Sequence, residues 1–380
     1  MRDFFCAYGA KYFSTFAKII NMEETEPNLD KERYYKGRGA QINPKNRFLP
    51  QSYAQIHPEA VDEWWEPDSR TEYFAEHARQ IVNKVSSPDL GMGYSMNPYQ
   101  GCEHGCIYCY ARNTHQYWGF SAGSDFEHKI IVKKNAPALF RKFLENKNWE
   151  PATISISGNT DCYQPAEREL GITRQLLEIA LAYNQPIAMI TKNALILRDK
   201  DLLKELASRR LACVFVSITA MDEKLRQVME PRTTTYKQRL RVIQELSDAG
   251  VPMGVMSAPI IPGINDQEIP AILTAARQNG ATQAGYTIVR LNDAVEEIFK
   301  DWLGKNFPER FDKVWKMIQD CHGGEVHDSR WGRRMRGEGH IAEIIAAQFK
   351  MHTRKLGFNE KRISLDTTRF RRPGQQLSLF

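Results

Sequence analysis

Three cysteines fall within eight residues, in the run NPYQGCEHGCIYCYAR from Asn97 to Arg112. Cys102, Cys106 and Cys109 are spaced C-x3-C-x2-C. Three thiolates on one tight loop can hold three irons of a cubane cluster and leave the fourth iron without a protein ligand. Proteins that only pass electrons usually supply four cysteines, so an open iron is one that a substrate or cosubstrate can coordinate. The competing reading is a zinc site completed by His104 or His115. Zinc sites usually bring a second, distant pair of ligands, and here Cys162, Cys213 and Cys321 stand alone in the chain.

Further polar residues sit directly after apolar runs. Ser157, Gly158, Asn159 and Asp161 follow one of them, offering hydroxyl, carbonyl and carboxylate acceptors for an ammonium group. The same residue types also build Asx turns. Lys192 follows IAMIT, where its charge calls for a partner unless it snorkels out at the rim. Ser217 and Thr219 close VFVSIT and share a face by strand alternation. Ile261 and Gly263 lie in APIIPGIND, an apolar segment that also reads as a Pro-Gly turn before a helix cap at Asp266.

The elements that must position these residues alternate. Apolar, β-branched runs predict strands at Tyr94–Asn97, Ala152–Ser157, Pro186–Thr191, Cys213–Ile218, Val251–Ser257 and Ala284–Val289. Helical patterns lie between them at Glu167–Asn184, Arg198–Arg210, Tyr236–Ala249 and Asp266–Asn279, with Gly250 and Gly280 as C-caps. Six strand–helix units predict an α/β fold, a partial (β/α)6 barrel whose site lies at the C-terminal strand ends. We place the barrel at 91–290. An N-terminal extension occupies 1–90, with one helix near Thr71–Val85 and another possible over the first 22 residues, where Met22 is an alternative start. A helical cap with a basic segment covers 291–370, built on Trp302, Phe307, Phe311 and Trp315, and 371–380 is a flexible tail.

With these residues in view, the cysteine run resembles the radical SAM superfamily, Tyr108 being the aromatic before the last cysteine. GCEHGCIYCYAR, SGNTDCYQPAERE and TKNALILRD together resemble the branch that contains spore photoproduct lyase, and the segment KGRGA…NP…RF points to a bacterial subgroup of it. The resemblance covers about residues 36–340. It implies a [4Fe–4S] cluster on Cys102, Cys106 and Cys109, with S-adenosyl-L-methionine chelating the open iron. Reductive cleavage would yield a 5′-deoxyadenosyl radical. It further implies that Tyr108, Ser157, Gly158, Asn159, Asp161, Lys192, Ser217, Thr219, Ile261 and Gly263 line the cofactor pocket, Lys192 meeting the methionine carboxylate. The lyase returns hydrogen from a cysteine near the second strand end, where this chain has Gly158 or Asn159. Cys162 then becomes the candidate donor with Tyr163 as relay, and Cys321 a second candidate. An electron donor of flavodoxin or ferredoxin type is implied.

The net charge is +6, but residues 330–372 carry 12 Lys/Arg against 4 Asp/Glu, leaving the remainder slightly acidic. A basic block suggests an anionic partner such as nucleic acid, as in DNA repair or modification, although most basic segments are solvated surface. Arg330, Arg333, Arg334 and Arg336 are candidates for phosphate contact. A protein or small-molecule substrate, or a non-enzymatic nucleic-acid-binding module, are the alternatives. The ending Gln376-Leu377-Ser378-Leu379-Phe380 resembles peptides that dock into the DNA sliding clamp. Seven cysteines are too few for a disulfide scaffold, and no apolar run reaches membrane-spanning length. The expectation is a cytoplasmic monomer.

Overall fold

The computed structural model describes residues 37–49 and 70–374. The six predicted strands all form. They are β3 (Tyr94–Met96), β6 (Ile154–Ile156), β7 (Ile187–Thr191), β8 (Ala212–Ser217), β9 (Met253–Ile260) and β10 (Gln283–Ile288). They pair in chain order, parallel throughout, from β3 at one side to β10 at the other. β2 (Val82–Lys84) adds an antiparallel edge strand beside β3. The sheet does not close, so the fold is a partial barrel.

A second, three-stranded sheet joins β1 (Glu72–Ala75), β4 (Tyr99–Gln100) and β5 (Lys129–Val132), with β5 in the centre. The helix expected over Thr71–Val85 is therefore replaced by β1 and β2. β1 pairs along its whole length with β5, so tertiary pairing overrides a segment whose local pattern was mixed.

Helices pack on the sheet through residues three and four apart. The helix Ile172–Ala182 buries Ile172, Leu176, Leu177, Ile179 and Ala180. The long helix expected over Glu167–Asn184 is broken at Gly171, whose φ of 60° directs the chain from a short first turn into this helix. The region expected to be a helical cap holds three helices, Ala294–Asn306, Phe311–Asp320 and Gly339–Lys355, with turns between residues 321 and 338. Trp302 is fully buried, and Phe307, Phe311 and Trp315 pack around it in a core that also contains Cys106, Ile107 and Tyr108.

The basic C-terminal segment runs along the wrong end of the sheet for a site at the strand ends. The Asp366 amide donates to the carbonyl of Arg210, just before β8, and the Arg371 amide donates to Tyr183, ahead of β7. Arg372 donates to the carbonyls of Leu144 and Asn146, ahead of β6. The proposed clamp-docking residues Gln376, Leu377, Leu379 and Phe380, and the possible helix in residues 1–22, lie outside the described residues.

Candidate functional site

The cysteine loop leaves β4 and runs across the open end of β3. Cys102 and Cys106 are buried and Cys109 is half-buried. Burial, then neighbouring charge, pushes the Cys102 and Cys106 thiols well above their ordinary range, and Cys109 is among the neighbours of both. Two buried thiols raised in this way are poor acids on their own. A polynuclear cation resolves the conflict, because coordination deprotonates each thiol and neutralises the thiolates together. The three thiols of this loop would suit a [4Fe–4S] cluster by their chemistry, although among the described residues they do not already stand as a three-ligand group.

The zinc alternatives fit less well. His115 packs its ring against Phe120 and Phe126, with centroids 5.2 and 5.6 Å apart, in a pocket that holds its pKa down at about 4, chiefly by burial. His104 is also buried and depressed to about 4. Asn193 donates to its Nε2 at 3.1 Å, assigning the proton to Nδ1, which faces Asp161 Oδ2 at 3.4 Å. Both of its nitrogens are engaged with protein groups.

The loop is held from behind by a buried ion pair. Arg112 and Glu127 are fully buried and meet at 2.5 Å. Arg112 also donates to the carbonyls of Cys106, Ala122 and Gly123. Glu127 accepts from the amides of Gly39 and Ala40 at 3.0 and 2.7 Å. Here the KGRGA segment finds its purpose. A Cβ on Gly39 would stand 1.7 Å from the carbonyl oxygen of Gly105, so only glycine lets this strap lie against the cysteine loop.

A second buried carboxylate organises the front. Glu230 accepts from the Tyr108 hydroxyl, from Thr219 Oγ1 at 2.7 Å and from Arg239 Nη2 at 2.6 Å. Burial alone would raise its pKa; Arg239, Lys192 and these hydrogen bonds outweigh it and hold the group at about 2. Tyr108 and Thr219 are thereby committed to Glu230 and support the pocket rather than contact a cofactor through their hydroxyls. Neither Glu230 nor Arg239 was singled out from sequence.

The remaining expected residues divide. Lys192 is half-buried at the end of β7, its Nζ 5.9 Å from the centre of the Tyr108 ring. Burial works to lower its pKa, but Cys106, Glu230 and Asp161 together raise it. Asn159 is held at its amide by Asn97 (2.9 Å), and its side-chain oxygen accepts no hydrogen bond from the described residues. A Cβ at Gly158 would meet Ser95 Oγ at 2.3 Å, and its carbonyl accepts from the Tyr110 hydroxyl at 2.6 Å. Ser217 is buried at the end of β8, with its carbonyl bonded to Arg239. Ile261 is buried beside Cys106, Ile107 and Tyr108.

Other assignments are corrected. Asp161 accepts from the Tyr163 and Lys192 amides, from Thr191 Oγ1 and from His104. Those donors fill a carboxylate's lone-pair sites, so Asp161 ties the β6 and β7 ends to the cysteine loop and has no capacity for an ammonium. The Ser157 hydroxyl accepts from the Cys162 amide and so caps its own turn. Gly263 faces Met317 Sδ at 3.1 Å and Val314 at 3.4 Å from where a Cβ would sit, so the glycine serves helix packing. Ser157, at φ 71°, turns the chain back, and Cys162 and Tyr163 return to the core with no exposed surface. The Tyr163 hydroxyl donates to Asp199, away from the loop, and Cys321 is likewise fully buried. None of these three offers hydrogen to a group at the strand ends. The arginines of the C-terminal turns are also engaged: Arg330 with Asp328 and Glu338, Arg333 with Glu338, Arg334 with Asp89, and Arg336 over the Tyr286 ring.

The radical SAM superfamily profile matches residues 96–276, from the end of β3 to the helix before β10. An uncharacterized protein of Mycobacterium tuberculosis is 32% identical over 234 residues, 61% of this chain and 69% of the relative. An uncharacterized protein of Methanocaldococcus jannaschii is 27% identical over 248 residues, 65% of this chain and 88% of that one. Among solved structures, spore photoproduct lyase complexed with dinucleoside spore photoproduct aligns with a TM-score of 0.55 at 14% identity, over 75% of this chain and 80% of the lyase. That likeness establishes a shared fold.

Proposed function

The chain belongs to the radical SAM superfamily, with a [4Fe–4S] cluster and S-adenosyl-L-methionine as its cofactors, and from that premise we propose that its substrate is a nucleic acid. When bound, the cofactors supply reductive cleavage of the sulfonium to a 5′-deoxyadenosyl radical, which takes a hydrogen atom from the substrate. Cys102, Cys106 and Cys109 would hold the cluster. Lys192 would meet the methionine carboxylate, and Asn159 Oδ1 would accept from the methionine ammonium. The buried Ile261 and the Tyr108 ring would give the adenosyl group an apolar wall, held in place by Glu230 and Arg239. The Arg112–Glu127 pair keeps the loop from collapsing.

The observation that carries the nucleic-acid reading is the set of aromatic rings exposed beside the cysteine loop. Tyr110, Tyr117 and Trp118 are 49%, 68% and 42% exposed, and Phe48 stacks on Tyr117 at 4.6 Å, with the Arg47 guanidinium 4.9 Å from the Phe48 ring centre and paired with Asp293 at 3.0 Å. Exposed rings with a cation are what unpaired bases stack on, each worth about 1–3 kcal/mol. The lyase of shared fold, crystallised with a dinucleoside photoproduct, supports the same substrate class. The basic tail does not, since it lies at the other end of the sheet.

The test is label transfer. Anaerobic, reduced holoenzyme is given deuterated DNA, either undamaged or ultraviolet-treated. Deuterium in the recovered 5′-deoxyadenosine is the expected result. Unlabelled 5′-deoxyadenosine at a rate unchanged by DNA or RNA, with stimulation by a peptide or metabolite fraction instead, contradicts it.

A further inference from the structure

The expected arginines of the C-terminal turns are all engaged, yet a different arginine at the open end of the sheet is not. Arg290 stands two residues beyond β10. It is fixed by its neighbours: the Ile288 amide donates to the Met335 carbonyl, the Val289 amide to Ile260, and the Leu291 amide to Val326. The backbone at Arg290 is thus pinned between β9 and the turns that follow the second cap helix.

The side chain is half-buried, and it forms no hydrogen bond or ion pair with any described residue. Two carboxylates are close enough to act on it, Asp89 and Asp328. Each is already taken. Asp89 is held by Arg334 at 2.7 Å, and Asp328 by Arg330 at 2.7 Å. Burial, and then Arg334, lower the Arg290 pKa, the reverse of what an arginine with its own counter-ion shows. Tyr110 is also within its electrostatic reach, and Tyr110 directly follows Cys109 in the chain. A guanidinium partly withdrawn from water without an anion is costly, and a phosphate ester satisfies it through two parallel N–H···O bonds.

We propose that Arg290 is the phosphodiester-binding residue of the substrate site, holding one backbone phosphate next to the Tyr110 ring and the cysteine loop. The proposal rests on the nucleic-acid reading and sharpens it. It assigns the substrate's register to β10, across the opening from Lys192 on β7. A backbone phosphate fixed there would bring a neighbouring nucleotide toward the aromatic rings, since phosphate contacts position and stacking holds.

The experiment is the salt dependence of binding of a short, mixed-sequence single-stranded DNA to reconstituted holoenzyme. Each phosphate contact contributes about −0.7 to the slope of log K against log salt. Arg290→Gln is expected to make the slope shallower by roughly that amount, and Arg290→Lys, which keeps the charge, to restore it while binding stays weaker. Lys204→Gln, on an exposed helical position of the barrel's outer layer, serves as the charge control and should leave the slope unchanged. Absorbance near 400 nm and the thermal midpoint of each variant report that cluster and fold are intact. A slope for Arg290→Gln equal to wild type, in a protein that passes those checks, overturns the phosphate assignment and leaves the nucleic-acid reading standing. Wild-type protein that binds no DNA or RNA at low salt overturns both.

Discussion

The two ends of the parallel sheet both carry positive charge, but of different kinds. At the N-terminal strand ends, Arg371 and Arg372 belong to a strongly basic segment, and the segment packs back onto backbone carbonyls of the body. At the C-terminal ends, Lys192 directly follows β7 and Arg290 stands two residues beyond β10. The basic block of residues 330–372 is divided between the two ends, since Arg330, Arg333, Arg334 and Arg336 lie in the turns beside β10 and are held there by carboxylates and a ring. A net charge of +8 in one stretch thus says little about where an anionic substrate binds, because a guanidinium satisfied by a carbonyl has no need of a phosphate.

The two cations at the open end differ in turn. Lys192 sits among Cys106, Glu230 and Asp161, which raise its pKa against the effect of burial. Arg290 faces carboxylates already claimed by other arginines, and its pKa is lowered. Lys192 thus has carboxylate and thiol neighbours of its own, whereas the carboxylates near Arg290 are bonded to other arginines.

The largest effect that would break this contrast is at the back of the cysteine loop. Glu127→Ala strands Arg112 without its partner, and removing one member of a buried pair costs about 3–5 kcal/mol. Denaturant unfolding should show that loss, along with lower iron content per chain. An unchanged midpoint would mean that the loop does not depend on this pair.

Next in size is a dependence on pH. The folded His115 pKa is near 4 against about 6.5 in the unfolded chain, so between these values the unfolded state binds more protons. The stability is full above pH 6.5 and declines as pH falls toward 4, by roughly 3 kcal/mol. His115→Phe, which keeps a ring against Phe120 and Phe126, should make the stability profile in that window shallower, the remaining slope coming from His104, which is also held at about 4. A profile as steep as wild type's would place the titration elsewhere.

Smaller, and confined to the cofactor half, is Lys192→Ala. A hydrogen bond to a charged group contributes about 1.5–3 kcal/mol, so S-adenosylmethionine binding to the anaerobic holoenzyme should weaken roughly tenfold or more. DNA binding should change little, the mirror image of Arg290→Gln. Loss of both affinities in either variant would merge the two halves. The smallest expected effect is Arg371→Gln with Arg372→Gln, which should leave the salt slope of DNA binding within error of wild type. A shallower slope would return the basic tail to the substrate.

Much of this fold was legible. The six strands follow from apolar runs with charges or small residues at their ends, and the cysteine spacing is local. Lys192 was found because a lysine after IAMIT demands a partner. The same reasoning applied to TIVR would have found Arg290, where the arginines of WGRRMR drew attention instead. Glu230 and Arg239 had no such signal. In MEPRTTT and KQRLRV they read as surface charges, and only tertiary packing makes them a buried pair. The inward course of Asp161 and Cys162 was not legible, since the left-handed Ser157 that sends the chain back inside is invisible in a pattern of residue types.

The most direct test of the central claim, that three thiols hold a cluster with one open corner for the sulfonium, is a comparison of single variants. Wild type and Cys102→Ala, Cys106→Ala and Cys109→Ala are reconstituted without oxygen, reduced, and assayed for 5′-deoxyadenosine. The account predicts product from wild type and from Cys162→Ala, and none from the three loop variants. Product from any of the three loop variants at the wild-type rate, or zinc as the bound metal in place of iron, would contradict it.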